Sequence, residues 1–218
     1  MLRILVADDH ELARRGIRSL LESRSDWEVC GEAKDGREAV EQAAALKPDL
    51  VLLDIGMPNL NGLEAARQIL AASPGVAILI LTMHDSDQTI REVLRAGARG
   101  FLLKSDAGKD LVDAVEALQT QRTFFNDRVS RMVLDGYLDR ESPERLNGVT
   151  SNDILTTRER EVIQLLAEGK TSKEVAVTLK LSVKTAETHR TNLMRKLGLH
   201  SVADLTRYAV RNGIVQVF

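Results

Sequence analysis

The chain has 218 residues, a net charge of −2 and an apolar share of 44%, room for two ordinary domains, each with a core. Aromatics make up only 3%, so packing rests on Leu, Val, Ile and Ala. The lone cysteine, Cys30, rules out an internal disulfide and reads as a small core residue in a reducing cytosol. The longest apolar run, Val76 to Leu81, falls far short of the about 20 residues a membrane helix needs.

In chain order, strands are expected near 3–8, 28–33, 49–53, 77–81 and 100–103. Between and after them, helices are expected near 11–22, 36–46, 62–72, 86–96 and 107–119. This alternation predicts βαβ units with right-handed crossovers and a doubly wound parallel sheet. The first strand ends at Asp8-Asp9, so the N-terminus reads as a strand and not as a signal peptide. The Asn59-Leu60-Asn61-Gly62 cluster marks the turn before the third helix.

Phe125, Val129, Met132 and Val133 recur at helical spacing, which predicts one more amphipathic helix. Residues 139–153 collect Ser, Pro, Asn and Gly and read as a linker. Four helical signals follow. Thr156 with Glu159 and Thr171 with Glu174 form capping boxes, Ser182 and Ser201 cap the next two helices, and Gly169, Gly198 and Gly213 stand at helix ends. The short turn at Lys180-Leu181-Ser182 has helix-turn-helix spacing. The domains are thus 1–120, a connecting 121–151, and 152–218. The first 122 residues carry 15 basic and 20 acidic side chains, and residues 152–218 carry 11 and 7. Two charge signs suggest two kinds of partner.

Asp8-Asp9, Asp54, Thr82 and Lys104 each follow a strand. In a parallel sheet the carboxyl ends of the strands share one edge, where such sheets hold ligands. Three carboxylates, a hydroxyl and an ammonium would therefore face one crevice. Alone, an Asp-Asp pair is a turn or cap signal and a lysine is surface; together they predict a phosphate and metal site. Asp54 is the candidate nucleophile, able to form an acyl phosphate. Mg2+ would offset the carboxylate charge, with Asp9 and Asp54 as direct ligands and Asp8 acting through water. Lys104 and Thr82 would contact the phosphoryl oxygens.

Residues 1–120 resemble a two-component receiver domain. The resemblance is carried by Val6-Ala7-Asp8-Asp9-His10, Leu53-Asp54-Ile55-Gly56-Met57-Pro58, Leu81-Thr82-Met83 and Gly97-Ala98-Arg99-Gly100-Phe101-Leu102-Leu103-Lys104. It implies strand order 2-1-3-4-5, a sensor histidine kinase as phosphoryl donor to Asp54, the Gly56 carbonyl as a further Mg2+ ligand, and Thr82 with Phe101 as a switch pair. Phe101 stands where tyrosine is common, so the packing half of the switch is kept and the hydroxyl is lost. Gly56 and His84 are expected to flank the path of hydrolytic water.

On a wheel of 3.6 residues per turn, Lys184, Glu187, Thr188, Thr191 and Arg195 share one face, opposite Val183, Ala186, Leu193, Met194 and Leu197. A solvated stripe is the plain reading; helix-turn-helix spacing and net basic charge favour DNA. Lys173, Lys184, Arg190 and Arg195 suit phosphates, Thr188 and Thr191 suit base edges, and Glu187 suits cytosine. Ser182 and Thr185, at the helix start, complete the expected contact set. Residues 155–162, 167–176 and 181–189 resemble the LuxR-type helix-turn-helix, with Thr157 where proline and Ala186 where valine is common.

Both resemblances together identify a response regulator of the NarL/FixJ class. They imply a small all-α domain behind an α/β receiver, and a cytoplasmic transcription regulator without membrane contact, not an enzyme beyond its own phosphoryl transfer and hydrolysis. They also imply a homodimer when phosphorylated, reading near-palindromic half-sites of double-stranded DNA. Val202, Leu205, Tyr208 and Ala209 form the expected dimer stripe, shared with the domain's own core. Phosphorylation is expected to free or align the recognition helix. The rivals are an aspartyl-nucleophile hydrolase and a receiver that serves only as an interaction module.

Overall fold

The computed structural model describes residues 1–83, 86–126, 129–131 and 155–215. Strands β1 (Leu2–Ala7), β2 (Trp27–Ala33), β3 (Leu50–Asp54), β4 (Ala77–Thr82) and β5 (Gly100–Leu103) form one parallel sheet in the expected order β2-β1-β3-β4-β5. Helices α1 (Glu11–Glu22), α2 (Gly36–Leu46), α3 (Gly62–Ala72), α4 (Asp87–Arg95) and α5 (Ala107–Gln119) alternate with them. One face of the sheet packs on α2, α3 and α4 through Leu5, Val51, Leu53, Ile78, Ile80 and Phe101. The other packs on α1 and α5 through Ile4, Val6, Leu50, Leu52, Leu79 and Leu81. Strands covered on both faces read as unbroken apolar runs, which is why β3 and β4 are buried along their whole length.

Strand β2 holds one residue more than β1. Ile4 pairs with Val29 and Leu5 with Gly31, so Cys30 is skipped. The alternation in the sequence gives no sign of this bulge. Cys30 is half-buried with its Sγ 3.4 Å from the Ile4 carbonyl, the packing role expected of it.

After α5 the chain returns to the sheet. The Phe101 N–H donates to the Phe124 carbonyl, and the Phe124 N–H donates to the Arg99 carbonyl. The start of the segment read as a connection therefore covers the open edge of β5. Residues 129–131 are helical, and Val129 is buried in the core beside Phe101. The rest of the helix expected to Leu138, the linker 139–153 and His84 lie outside the described residues.

The small domain consists of α6 (Thr157–Ala167), α7 (Ser172–Thr178), α8 (Val183–Leu197) and α9 (Val202–Arg211) around Val162, Ile163, Leu165, Val175, Leu193, Leu205 and Ala209. Thr156–Glu159 and Thr171–Glu174 close as complete capping boxes. Ser182 and Ser201 accept from the Thr185 and Asp204 N–H groups. Gly198, in the left-handed region at φ 62°, ends α8.

Two glycines bring α3 against the end of β3 and α2 against the turn that follows it. A Cβ on Gly62 would stand 2.0 Å from the Asp54 carbonyl oxygen, and one on Gly36 2.1 Å from the Leu60 carbonyl oxygen. Gly62→Ala is expected to cost about 2 kcal/mol or more, because backbone must move. Gly16→Ala, in exposed α1 with no neighbour within 4 Å, is expected to gain ~0.5–1 kcal/mol. Urea unfolding of both variants measures the opposite signs.

Candidate functional site

The strand ends bring the expected residues together. Asp8 follows β1, Asp54 closes β3, Thr82 closes β4 and Lys104 follows β5. Lys104 Nζ lies 2.7 Å from Asp8 Oδ2 and 3.0 Å from Asp54 Oδ2. The Lys104 N–H donates to the Thr82 carbonyl at 2.8 Å, so the β4–β5 pairing sets where the ammonium starts. Asp8, Asp54 and Thr82 are buried. One oxygen or nitrogen from each of Asp8, Asp9, His10 and Asp54 falls within a 4.8 Å group.

Burial raises the Asp54 carboxyl above its ordinary range, although Lys104 pulls it down. Burial also works against the charge on Lys104, but the attraction of Asp54 and Asp8 outweighs it and holds that pKa above the ordinary value. Asp8 Oδ2 and Asp9 Oδ1 are buried, with Lys104 Nζ 2.7 Å from the first and His10 Nδ1 2.8 Å from the second. Three carboxylates against one ammonium leave two negative charges in a pocket of hard oxygen donors. That donor set and charge fit a divalent cation such as Mg2+. Gly56, the expected carbonyl ligand, borders the same cleft as Asp9, a space of about 130 Å3. The Phe101 ring is fully turned into the core on the α3–α4 side, the packed position of the expected switch pair.

In the small domain, Ser182, Lys184, Thr185, Glu187, Thr188, Thr191 and Arg195 are exposed, with Lys173 exposed on α7 and Arg190 at the margin. Ala186 and Leu193 are buried behind them. Val183 departs from the expected buried side: it opens the helix and is 39% exposed. Ser182 and Thr185 are tied into the cap, their hydroxyls 2.7 Å apart. The Thr188 hydroxyl donates to the Lys184 carbonyl.

The expected dimer stripe is in large part the domain's own core. Leu205 and Ala209 are fully buried in the domain's own core, and Tyr208 packs against it. The outer face of α9 is instead Val202, Ala203, Thr206, Arg207 and Val210, with Val202 45% and Val210 37% exposed. Val202, on the expected stripe, is exposed and borders this outer face, while packing turns Leu205 and Ala209 inward.

Sequence reasoning missed the contact between the domains. The β3–α3 turn that follows Asp54 rests on α6. Gln164, 2% exposed, accepts from the Asn61 N–H at 2.8 Å and donates to the Met57 carbonyl at 3.1 Å. Glu168 accepts from the Asn59 N–H at 3.1 Å, Lys170 bonds the Asn59 side chain, and Asn61 donates to the Ile214 carbonyl. Asn59 itself sits in the left-handed region at φ 65°. Glu161 takes Gln68 and Arg37 from the receiver, and Gln88 of α4 donates to the Arg211 carbonyl at the end of α9. The signal was present: Glu161, Gln164 and Glu168 share a helix face at i, i+3 and i+7, and the first two are polar at core depth.

Comparison with known proteins agrees with both halves. The response regulator receiver domain family matches residues 4–116, and the luxR family of bacterial regulatory proteins matches residues 153–209. The transcriptional regulatory protein LiaR of Bacillus subtilis strain 168 is 37% identical over 215 residues, 99% of this chain and 100% of that protein. The oxygen regulatory protein NreC of Staphylococcus aureus strain JH9 is 35% identical over 216 residues, 99% and 100%. A solved structure of RcsB from Salmonella enterica serovar Typhimurium, bound to promoter rprA with the phosphomimetic BeF3-, is 28% identical with a TM-score of 0.57, covering 95% of this chain and 97% of that one. With the Asp8–Asp54–Lys104 pocket at the strand ends and a LuxR-type helix-turn-helix behind it, the chain belongs to the response regulators of the NarL/FixJ class.

Proposed function

We propose that this chain is a DNA-binding transcription regulator switched by phosphorylation of Asp54 by a partner histidine kinase. The observation that carries the reading is Lys104 held between Asp8 and Asp54 beside buried Thr82. An Asp54 oxygen attacks phosphorus, and the bond from phosphorus to the donor's imidazole nitrogen breaks. Lys104 neutralises one phosphoryl oxygen, and the Thr82 hydroxyl meets another. Asp8, Asp9, Asp54 and the Gly56 carbonyl would hold Mg2+, which supplies charge neutralisation for the incoming anion. DNA would meet the exposed face of α8, with Lys173, Lys184, Arg190 and Arg195 on phosphates and Glu187, Thr188 and Thr191 towards bases.

Signal leaves the pocket by two routes. The β3–α3 turn carries Asn59 and Asn61 on α6, and α4, just beyond Thr82, carries Gln88 on α9. A phosphoryl group that repositions Asp54 and Thr82 shifts both contacts, favouring another domain arrangement. The reading face of α8 is already open while the domains touch. Phosphorylation therefore acts by aligning and pairing two chains through the outer face of α9 on a near-palindrome, not by uncovering the recognition helix.

Acetyl phosphate with Mg2+ is expected to add one phosphate to Asp54, read as a mass shift absent in Asp54→Ala, and to tighten DNA binding. Equal affinity with and without the donor refutes the coupling. A phosphatase would instead turn over donor without accumulating phosphorylated chain.

Asp54→Asn removes a carboxylate whose ionisation burial opposes. Because the folded pKa lies above the unfolded one, the native chain gains stability as pH falls through that raised value, and carries the full penalty above it. In EDTA at neutral pH the variant is expected to melt a few degrees higher, about 1 kcal/mol moving a chain of this size by ~2–4 °C. The gap should close as pH approaches the ordinary carboxylate range.

Gln164→Met keeps the shape of the side chain and removes its hydrogen bonds, leaving the Asn61 N–H and Met57 carbonyl short of a partner at ~1–3 kcal/mol. The expected outcome is a larger radius of gyration by small-angle scattering and several-fold higher DNA affinity without phosphodonor.

A further inference from the structure

We propose that the docked second domain is a gate on the phosphoacceptor pocket. In this reading α6 and the segment after α9 sit on the rim over which a phosphodonor must reach Asp54, and separation of the domains is the step that admits the donor. The inference rests on the reading of Asp54 as phosphoacceptor and names what regulates its loading.

The seam between the domains does not cover the polar face of α8, which is exposed. What it covers is the rim of the pocket. Asp8 and Asp54 lie inside, their side chains 0% and 6% exposed, while the Asp9 side chain is 25% exposed. Among the three carboxylates the pocket therefore opens on the Asp9 side. The cleft there takes its walls from both domains: Asp9, Gly56 and Pro58 from the receiver, Glu168, Gly213 and Val215 from the second domain. Its volume is about 130 Å3, below the ~300–1,000 Å3 of clefts that take small organic ligands.

The second domain is fastened close to the chemistry. Gln164 accepts from the Asn61 N–H and donates to the Met57 carbonyl, Glu168 accepts from the Asn59 N–H, and Asn61 donates to the Ile214 carbonyl at 3.0 Å. All the receiver's partners in these bonds lie between Met57 and Asn61, just after Asp54 in the chain. Phosphoryl transfer needs the attacking oxygen, phosphorus and leaving atom roughly in line, so a donor needs room in front of Asp54. With acetyl phosphate, the bond from an Asp54 oxygen to phosphorus forms, the bond from phosphorus to the acetyl oxygen breaks, and acetate leaves by the same opening. The fastenings are polar, so water replaces them on separation, as suits a reversible contact between domains. Loading then scales with the fraction of chains that stand open.

The test uses the full chain carrying Cys30→Ser, Asn59→Cys and Glu168→Cys, joined across the seam by a reducible bis-methanethiosulfonate bridge, with acetyl phosphate and MgCl2 as probes. Phosphorylation of Asp54 is followed by intact mass in one sample before and after dithiothreitol, so any loss caused by the substitutions themselves cancels. The bridged chain is expected to load about tenfold more slowly than the same chain once reduced. Gln164→Met gives the opposite arm: without the bonds of Gln164 the seam opens more often, and loading is expected to run several-fold faster than in wild type. Equal rates before and after reduction, or a Gln164→Met chain no faster than wild type, refute the gate and leave the phosphoacceptor reading standing. If wild type takes up no phosphate at Asp54, that reading fails and takes this inference with it.

Discussion

The ammonium of Lys104 between two buried carboxylates is the contact on which the rest depends. It joins the ends of β1, β3 and β5, strands that meet only through the sheet. Without it, Asp8 and Asp54 would be like charges in a medium of low dielectric. With it they still outnumber it, and Asp9 adds a third. The fold therefore holds a standing deficit of positive charge at one edge. A bound cation would reduce that deficit and a phosphoryl group would change it again, so the proposed chemistry of the pocket follows from incomplete charge balance. Burial is what gives the imbalance leverage: the same four side chains in water would repel and attract only weakly.

The local geometry around Asp54 carries that imbalance outward. Gly62 leaves no space between the end of β3 and the start of α3, and Gly36 none between the turn at Leu60 and the start of α2, so this turn cannot move without moving its neighbours. The turn's far side is gripped by polar groups of α6, and Asn59 is held there in a backbone region that costs a non-glycine residue free energy. Polar contacts of this kind suit a reversible joint better than an apolar seam, because each group released finds a partner in water. A small shift at Asp54 therefore acts on hydrogen bonds of the second domain a few residues away.

Most of the receiver was legible in the sequence because its strands are short, apolar and punctuated. Asp8-Asp9, Asp54, Thr82 and Lys104 interrupt those runs where a parallel sheet gathers its ends, so fold and site came from one pattern. The caps at Thr156, Thr171, Ser182 and Ser201 were legible for a similar reason: they are local, and local rules decided them. What escaped was non-local. Cys30 is skipped because β1 and β2 differ in length between their pinned ends, which neither strand records alone. Leu205 and Ala209 face inward because α6 lies on that side of α9. Gln164 and Glu161 looked like ordinary polar positions until the β3–α3 turn was set against them.

The docked arrangement also limits what the switch can be. The receiver touches α6, the loop after it and the end of α9, while the polar face of α8 points away. In this arrangement the recognition helix is not shielded. Affinity for a two-half-site operator comes from presenting two such helices at a fixed spacing, since linking them makes the second contact intramolecular. The end of α9, where Gln88 holds the Arg211 carbonyl, adjoins the exposed Val210 side of the same helix. In the proposed dimer, a shift of α4 would act at the border of that outer face.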